Sequence, residues 1–251
     1  MISYILLPIR ILLFLIFLLI IVPLGVGYKK LFPASVYAVA RLAHKYLCAI
    51  FGLRVNVIGV PSHTKPTLFA SNHLSYLDVP VLGSVIECRF IAKSDVASWP
   101  VFGFLSKVQN TVFIERKSTK ALKQKNVLQE SIENKDNLVL FPEGTSTDGE
   151  TVLPFKSSLF SITETAKKEG LFMLVQPVSI VLKSINGKPI TKENRAVYAW
   201  FGDMTLVPHL LNVMKQKSIA LDVIFHAPLD VNDFENRKDL AYKAWERVDR
   251  R

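Results

Sequence analysis

The sequence predicts an α/β fold in which a mixed, largely parallel sheet is flanked by helices and preceded by an N-terminal membrane-associated segment of two helices. Two observations carry this prediction. From Gly52 onward short apolar runs alternate with longer amphipathic ones, and the front of the chain is strongly apolar. At 251 residues the chain has room for one sizeable domain and an appendage. We therefore expect residues 1–51 to form a membrane anchor and an amphipathic helix, and residues 52–251 to form one globular domain.

The first predicted element is the apolar anchor. Residues 11–22 (ILLFLIFLLIIV) are twelve apolar residues without a break, and extending the run to Gly27 gives seventeen, the lower limit for a bilayer-spanning helix. Its Leu, Ile and Phe side chains favour insertion by roughly 3–6 kcal/mol, and Arg10 at the rim can reach the headgroups at small cost. We expect this run to insert and the chain to turn between Pro23 and Pro33. A cleaved signal peptide is the disfavoured alternative, because its possible site at residues 38–40 (AVA) lies about sixteen residues beyond the apolar run, which is too far for cleavage.

The charge is +10, and its placement says more than its size. No Asp or Glu precedes Asp78, whereas seven basic residues do. These are Arg10, Lys29, Lys30, Arg41, Lys45, Arg54 and Lys65. A basic, acid-free front joined to an apolar anchor indicates an anionic membrane surface, and we expect the cytoplasmic face of the cell inner membrane. We expect no nucleic-acid partner, because no recognition helix, zinc finger or RNP pattern is present.

The second predicted element is a helix at residues 34–51, with Pro33 suited to its first turn. Its apolar residues recur at helical spacing, and Arg41, His44 and Lys45 lie on another face. Such a helix can lie in the headgroup plane or pack its stripe on the globular domain, and the two arrangements are compatible. Cys48 and Cys88 stand forty residues apart, without a metal-ligand or disulfide pattern, so we expect two buried thiols in a cytosol-facing protein.

The globular part alternates between strands and helices. Strands are predicted at residues 54–58, 67–70, 89–92, 108–114, 138–141, 172–183, 197–201 and 219–225. Helices are predicted at residues 79–86, 118–134, 157–169, 206–215 and 237–251. Gly170 is suited to ending one helix, and Asn186 with Gly187 predicts a hairpin turn. The segment at residues 99–105 (WPVFGFL) is too aromatic to be left in water.

The domain is organised around residues 72–78 (NHLSYLD), which directly follow a predicted buried strand. His73 stands where a strand gives way to a turn, the usual place for a reacting side chain on this kind of scaffold. Its imidazole can accept a proton near neutral pH. Asp78 can fold back through one helical turn, fix the ring's tautomer and stabilise the imidazolium. Alone, the pair would more often be a surface histidine and a capping aspartate, but three later stretches change that judgement.

These stretches also follow predicted strands: residues 112–116 (VFIER), 141–146 (FPEGTS) and 175–180 (VQPVSI). Together with NHLSYLD they resemble, in order, the four motif blocks of the glycerolipid acyltransferase family, which includes the 1-acyl-glycerol-3-phosphate (lysophosphatidic acid) acyltransferases. Residues 153–158 (LPFKSS) look like the segment that follows the third block. Residues 199–204 (AWFGDM), followed by PHL, are similar to bacterial branches of the family, including some that acylate lyso-ornithine lipid.

The resemblance implies catalytic roles for His73, the general base, and Asp78, its orienting partner. Arg116 matches the position that grips the acceptor's phosphate, which suits a planar guanidinium with two parallel donors. The remaining implied substrate-binding residues belong to the same blocks or lie near them. They are Glu143, Gly144 and Thr145 of the third block, and Lys93 as a second phosphate contact.

The chemistry implied is transfer of a fatty acyl group from a thioester, acyl-CoA or acyl carrier protein, to the sn-2 hydroxyl of 1-acyl-glycerol-3-phosphate. That reaction gives phosphatidic acid in phospholipid biosynthesis, with no metal or cofactor. The nearest alternative is the same chemistry on lyso-ornithine lipid or another lysolipid, and a more distant one is a non-catalytic membrane-associated lipid-binding protein. A hydrolase is disfavoured because no G-x-S-x-G nucleophile elbow is present.

Overall fold

A sheet of nine strands forms the centre of the computed structural model, which describes residues 2–32, 36–64, 66–114 and 129–250. The strands are β1 Leu53–Ile58, β2 Thr67–Ser71, β3 Arg89–Lys93, β4 Val112–Ile114, β5 Leu138–Leu140, β6 Leu174–Ile185, β7 Lys188–Pro189, β8 Ile219–Phe225 and β9 Leu229–Asp230. Their order is β1-β8-β6-β2-β5-β3-β4, with β7 and β9 on β6. All neighbours are parallel except for the antiparallel partners of β6, namely β7, β8 and β9. The predicted mixed, largely parallel α/β fold is confirmed.

Helices cover the sheet on both faces. They are Ile2–Ile16, Val22–Leu31, Val36–Phe51, Asp78–Val85, Phe102–Val108, Ser161–Lys168, Lys192–Arg195, Leu206–Met214 and Arg237–Asp249, with residues 129–133 also helical. On β2, Phe69 belongs to one buried cluster, while Leu68 and Ala70 belong to the other. A strand buried on both faces reads as a continuous apolar run, which is why β2 could be predicted without alternation.

The N-terminal helix is longer than predicted. A π-helical turn at Phe17–Ile21 joins Ile2–Ile16 to Val22–Leu31, so the expected turn between Pro23 and Pro33 is wrong as far as Leu31. The reason is that Pro23 lies in the first turn of the next helical segment, where a missing N–H is tolerated, directly after the widened π turn. The stretch Ile5–Tyr28 is long and apolar enough to cross a membrane, by length and composition.

This helix is also part of the globular core. The rings of Phe14 and Phe51 are in tilted contact with centroids 5.7 Å apart, and Phe17 is 2% exposed. Arg10 is buried rather than at a membrane rim, and its guanidinium donates to the carbonyl oxygens of Met214 (3.0 Å) and Gln216. The last carbonyls of the helix Leu206–Met214 lack partners within that helix, and the negative end of its dipole attracts a cation.

Three further expectations change in detail. The strand expected at residues 108–114 is only Val112–Ile114, because the aromatic segment before it forms the helix Phe102–Val108. The strand expected at residues 197–201 is an irregular turn whose apolar side chains pack inward. The helix expected at residues 157–169 is a 3₁₀ turn, Ser157–Phe160, followed by Ser161–Lys168. Most of the helix expected at residues 118–134 lies outside the described residues.

Candidate functional site

The site begins where β2 ends, and Asn72 fixes its position. The Asn72 amide donates to the Ile180 carbonyl (3.0 Å) and accepts from the Ile180 N–H (2.7 Å). Its side chain therefore continues the β2–β6 pairing by one step after β2 has ended, and it is 1% exposed. This residue was missed in the sequence, because an Asn after a strand is usually an ordinary turn residue.

His73 and Asp78 meet as predicted. Nδ1 of His73 lies 2.8 Å from Oδ2 of Asp78, which also accepts the N–H groups of Leu74 (2.6 Å) and Ser75 (3.0 Å). Asp78 is the first residue of the helix Asp78–Val85, where the dipole favours a negative charge. Because an ionised Asp78 only accepts hydrogen bonds, the pair places the proton on Nδ1 and leaves Nε2 of His73 as a base. The imidazole is 20% exposed, whereas the carboxylate is fully buried.

Tyr198 is the functional candidate that sequence reasoning missed most clearly. Its hydroxyl donates to Oδ1 of Asp78 at 2.7 Å, and the residue is fully buried. Burial, together with the neighbouring Asp78 carboxylate, raises the pKa of the Tyr198 hydroxyl well above its usual value, so it stays a donor. With 120 residues between them, the only sequence signal was a tyrosine inside an apolar stretch.

The third motif, residues 141–146, contacts both the ring and the backbone of His73. Phe141 stacks on the imidazole with ring centroids 4.1 Å apart and planes 20° apart. The two oxygens of Glu143 accept the N–H groups of His73 (2.7 Å) and Leu153 (2.8 Å), and Glu143 is 1% exposed. The N–H of Thr147 donates to the His73 carbonyl (2.9 Å). These contacts hold both ends of the His73 peptide unit.

The other predicted binding residues lie at the same turn or outside the described residues. Gly144 has φ +71°, as its proposed role in a tight turn requires, and its carbonyl accepts from Nζ of Lys93 at 2.6 Å. Thr145 follows and is exposed. The structure thus brings His73, Glu143, Gly144 and Lys93 together. Arg116 lies outside the described residues.

A cluster of aromatic side chains packs beside residues 72–78 and includes rings from the segment at residues 99–105. Tyr76 contacts the rings of Phe102 (5.4 Å) and Trp200 (5.8 Å), and Trp99 contacts Trp200 (5.6 Å). The N–H of Trp200 donates to the Leu74 carbonyl at 2.8 Å. These contacts fix residues 198–200 against the motif and so place Tyr198 at Asp78.

Three histidines outside the four motifs contact neutral hydrogen-bonding groups. His44 contacts Oε1 of Gln109 (2.8 Å), His209 contacts the Tyr76 hydroxyl (2.9 Å), and His226 contacts the Ser179 hydroxyl (2.8 Å). Burial lowers the pKa of each of these three histidines below its ordinary value. They therefore favour the neutral form in the folded protein.

An apolar cavity of about 530 Å³ lies between the N-terminal helix, the helix Val36–Phe51 and the end of the helix Phe102–Val108. His44 lines it, and a series of ring contacts leads from there to the site. The ring centroids of His44 and Phe90 are 6.1 Å apart, and those of Phe90 and Phe141 are 6.5 Å apart. Since Phe141 stacks on His73, a continuous row of packed rings extends from the lining of the cavity to the site.

Comparison with known proteins fits this geometry. The chain is 38% identical to the lyso-ornithine lipid O-acyltransferase of Rhizobium meliloti over 82% of this chain and 71% of the relative. It is 36% identical to that of Brucella abortus (88% and 82%) and 30% identical to the 1-acyl-sn-glycerol-3-phosphate acyltransferase of Neisseria meningitidis (84% and 79%).

The fold has a solved counterpart. The crystal structure of the 1-acyl-sn-glycerophosphate acyltransferase of Thermotoga maritima superposes with a TM-score of 0.65 at 20% identity, over 100% of this chain and 95% of that one. The acyltransferase family model matches residues 54–181, a range that holds His73, Asp78 and the Phe141–Gly144 turn. With this match and with relatives above 30% identity along most of its length, the chain belongs to the acyltransferase family of glycerolipid enzymes.

Proposed function

We propose that this acyltransferase moves a fatty acyl group from a thioester to the free hydroxyl of a lysolipid, with His73 as general base and Asp78 as its orienting partner. The observation that carries the proposal is the Asp78 carboxylate. It is fully buried and shared between Nδ1 of His73 and the Tyr198 hydroxyl, which leaves Nε2 as the nitrogen of the 20% exposed imidazole that lies outside this pairing. This arrangement suits abstraction of a proton from an alcohol at neutral pH.

In this mechanism Nε2 of His73 takes the hydroxyl proton as the acceptor oxygen attacks the thioester carbonyl carbon. The tetrahedral intermediate then collapses, the carbon–sulfur bond breaks, and the leaving thiolate receives the proton from the imidazolium. The products are an ester and a free thiol, so atoms and charge balance. General-base help of this kind contributes roughly 10²–10⁴-fold, and positioning contributes the rest. Attack is direct, without an acyl-enzyme.

As acceptor we propose lyso-ornithine lipid first and 1-acyl-glycerol-3-phosphate second, the reverse of the order that the sequence motifs alone favoured. The change rests on the higher identity to relatives named for lyso-ornithine lipid, 36–38% against 30%. Both acceptors present a hydroxyl together with an anionic group. The basic chain, with a net charge of +10, favours an acidic donor such as acyl carrier protein or acyl-CoA.

The membrane segment supports a lipid substrate. One apolar helix fits membrane association, and the cavity of about 530 Å³ touches that helix and has the mostly apolar lining that an acyl chain requires. We place the enzyme on the cytoplasmic face of the cell inner membrane, where a soluble donor can meet a lipid hydroxyl. The basic residues before Asp78, a stretch that contains no Asp or Glu, enrich anionic lipids at that surface.

The test is an acyl-transfer assay with purified full-length protein. Lyso-ornithine lipid and lysophosphatidate are offered side by side, each with acyl-CoA and with acyl carrier protein. We expect esterified product with at least one acceptor, and none from His73→Ala at unchanged melting temperature. No transfer to either acceptor, full activity in His73→Ala, or a trapped covalent acyl-protein would each refute the proposal.

A further inference from the structure

Two lysine side chains converge on the Gly144 turn. Nζ of Lys93 donates to the Gly144 carbonyl at 2.6 Å. At the same residue, Nζ of Lys156 lies 2.7 Å from the point where a Cβ of residue 144 would stand. Lys156 thus occupies the space that the missing side chain of Gly144 leaves open. Since a Cβ and a carbonyl oxygen of one residue are only about 3 Å apart, the two ammonium groups are at most roughly 9 Å apart.

The backbone holds Lys156 in this place. Its N–H donates to the Pro142 carbonyl at 2.9 Å, and three residues earlier the N–H of Leu153 binds Glu143 at 2.8 Å. Glu143 in turn accepts the N–H of His73. Residues 153–156 therefore run alongside the third motif and are tied through it to the candidate base.

The ammonium group of Lys156 forms no ion pair with a carboxylate in the part of the chain that the structure describes. Among the residues that the structure describes, no Asp or Glu oxygen lies within 4 Å of its Nζ, and the side chain is exposed. Two ammonium groups held this close raise the local positive potential and attract an anion with several oxygen atoms. Lys156 was not among the binding residues inferred from the sequence, which included only Lys93 and Arg116 as cations.

We propose that Lys156, which lies together with Lys93 at the Gly144 turn, binds the anionic oxygen group of the lysolipid acceptor, whether phosphate or carboxylate. This inference rests on the proposed function. It also assigns Gly144 a second role besides its positive φ, because any side chain there would displace the Lys156 ammonium. Binding the anion at this turn holds the acceptor beside His73, because Glu143 of the turn accepts the His73 N–H.

The experiment measures equilibrium binding in neutral detergent micelles for three lipids: lysophosphatidate, lyso-ornithine lipid and uncharged monoacylglycerol. Lys156→Met keeps the aliphatic stem over Gly144 and removes only the charge, Lys156→Arg restores a cation, and Lys168→Met on an exposed helix end is the matched control. We expect Lys156→Met to weaken binding of the anionic lipids about 5-fold, the upper end for a solvent-exposed ion pair. Monoacylglycerol binding should be unchanged, and Lys156→Arg should bind like wild type.

A larger effect on lysophosphatidate than on lyso-ornithine lipid would identify phosphate as the preferred ligand, and the reverse would identify carboxylate. Equal affinity of Lys156→Met and wild type for both anionic lipids would overturn the inference. So would an equal loss for monoacylglycerol, because that would indicate a distorted turn. Failure of the proposed function looks different: the wild-type protein would bind these lipids but transfer no acyl group to them.

Discussion

The Tyr198 hydroxyl and the His73 imidazole bind opposite oxygens of one carboxylate, at 2.7 Å on Oδ1 and 2.8 Å on Oδ2 of Asp78. A buried carboxylate needs such donors because an unsatisfied anion in the interior is costly. The Tyr198 donor therefore satisfies one carboxylate oxygen and fixes the plane of the carboxylate, and through Asp78 it orients the imidazole. We interpret Tyr198 as a positioning residue, since the contact is with Asp78.

We expect Tyr198→Phe to lower kcat about tenfold, equivalent to roughly 1.4 kcal/mol of transition-state stabilisation, with acceptor KM unchanged. Initial rates over a range of acceptor concentrations measure this separation of kcat from KM, with Tyr242→Phe, an exposed tyrosine, as control. A reduced melting temperature with wild-type kcat would mean a merely structural role.

Glu143→Gln tests whether the Glu143 carboxylate holds the backbone of His73 in place. Both carboxylate oxygens accept backbone N–H groups, from His73 and Leu153, and a glutamine amide has only one acceptor oxygen. One buried N–H would face an NH₂ group, which costs about 1–3 kcal/mol. We expect a lower melting temperature and lower kcat, measured by calorimetry and initial rates against the exposed control Glu169→Gln. Wild-type values for both would contradict the bracing role.

The anchor can be tested without disturbing the core. Removing residues 1–51 would also remove buried Ile50 and Phe51, so point substitutions are cleaner. Leu12 and Leu19 are 59% and 73% exposed on the outer side of the N-terminal helix. Changing both to Asp costs roughly 5–7 kcal/mol in a bilayer, enough to offset the gain from the apolar run.

We expect the double Asp variant to leave the membrane fraction in flotation assays while the double Ala control stays. Both should keep activity on micellar substrate, since the two positions face away from the core. Retention of the Asp variant in membranes would show that another surface, such as the exposed Phe104, also binds lipid.

Stability should fall as pH decreases from 7 towards 5. Burial lowers the pKa of His44, so below the ordinary value of about 6.5 the unfolded chain takes up a proton that the folded one does not. Each such histidine contributes up to about 1.4 kcal/mol per pH unit. The melting temperature of His44→Gln should therefore change less between pH 7 and pH 5.5 than that of the wild type. An equal change in the two proteins would contradict this assignment.

Local sequence determined the parts of the molecule that depend on neighbours in the chain. His73 and Asp78 are only five residues apart, so their contact could be predicted, although a turn before the helix Asp78–Val85 forms it rather than the helical turn expected. The buried strands β2, β5 and β8 and the helix Leu206–Met214 followed from apolar runs and their period. Even here context intervened, because a π turn allowed the helix to continue through Pro23.

The tertiary structure alone decided which distant groups complete the site. Tyr198 reaches Asp78 across 120 residues, Asn72 joins Ile180 across 108, and Arg10 meets the carbonyl of Met214 across 204. Only the fold places Lys156 in the space that the missing side chain of Gly144 leaves open. Hydrophobic periodicity specifies which face of an element is buried, but not which element will lie against it. Polar contacts between elements depend on the packing of the whole sheet, and no local pattern encodes them.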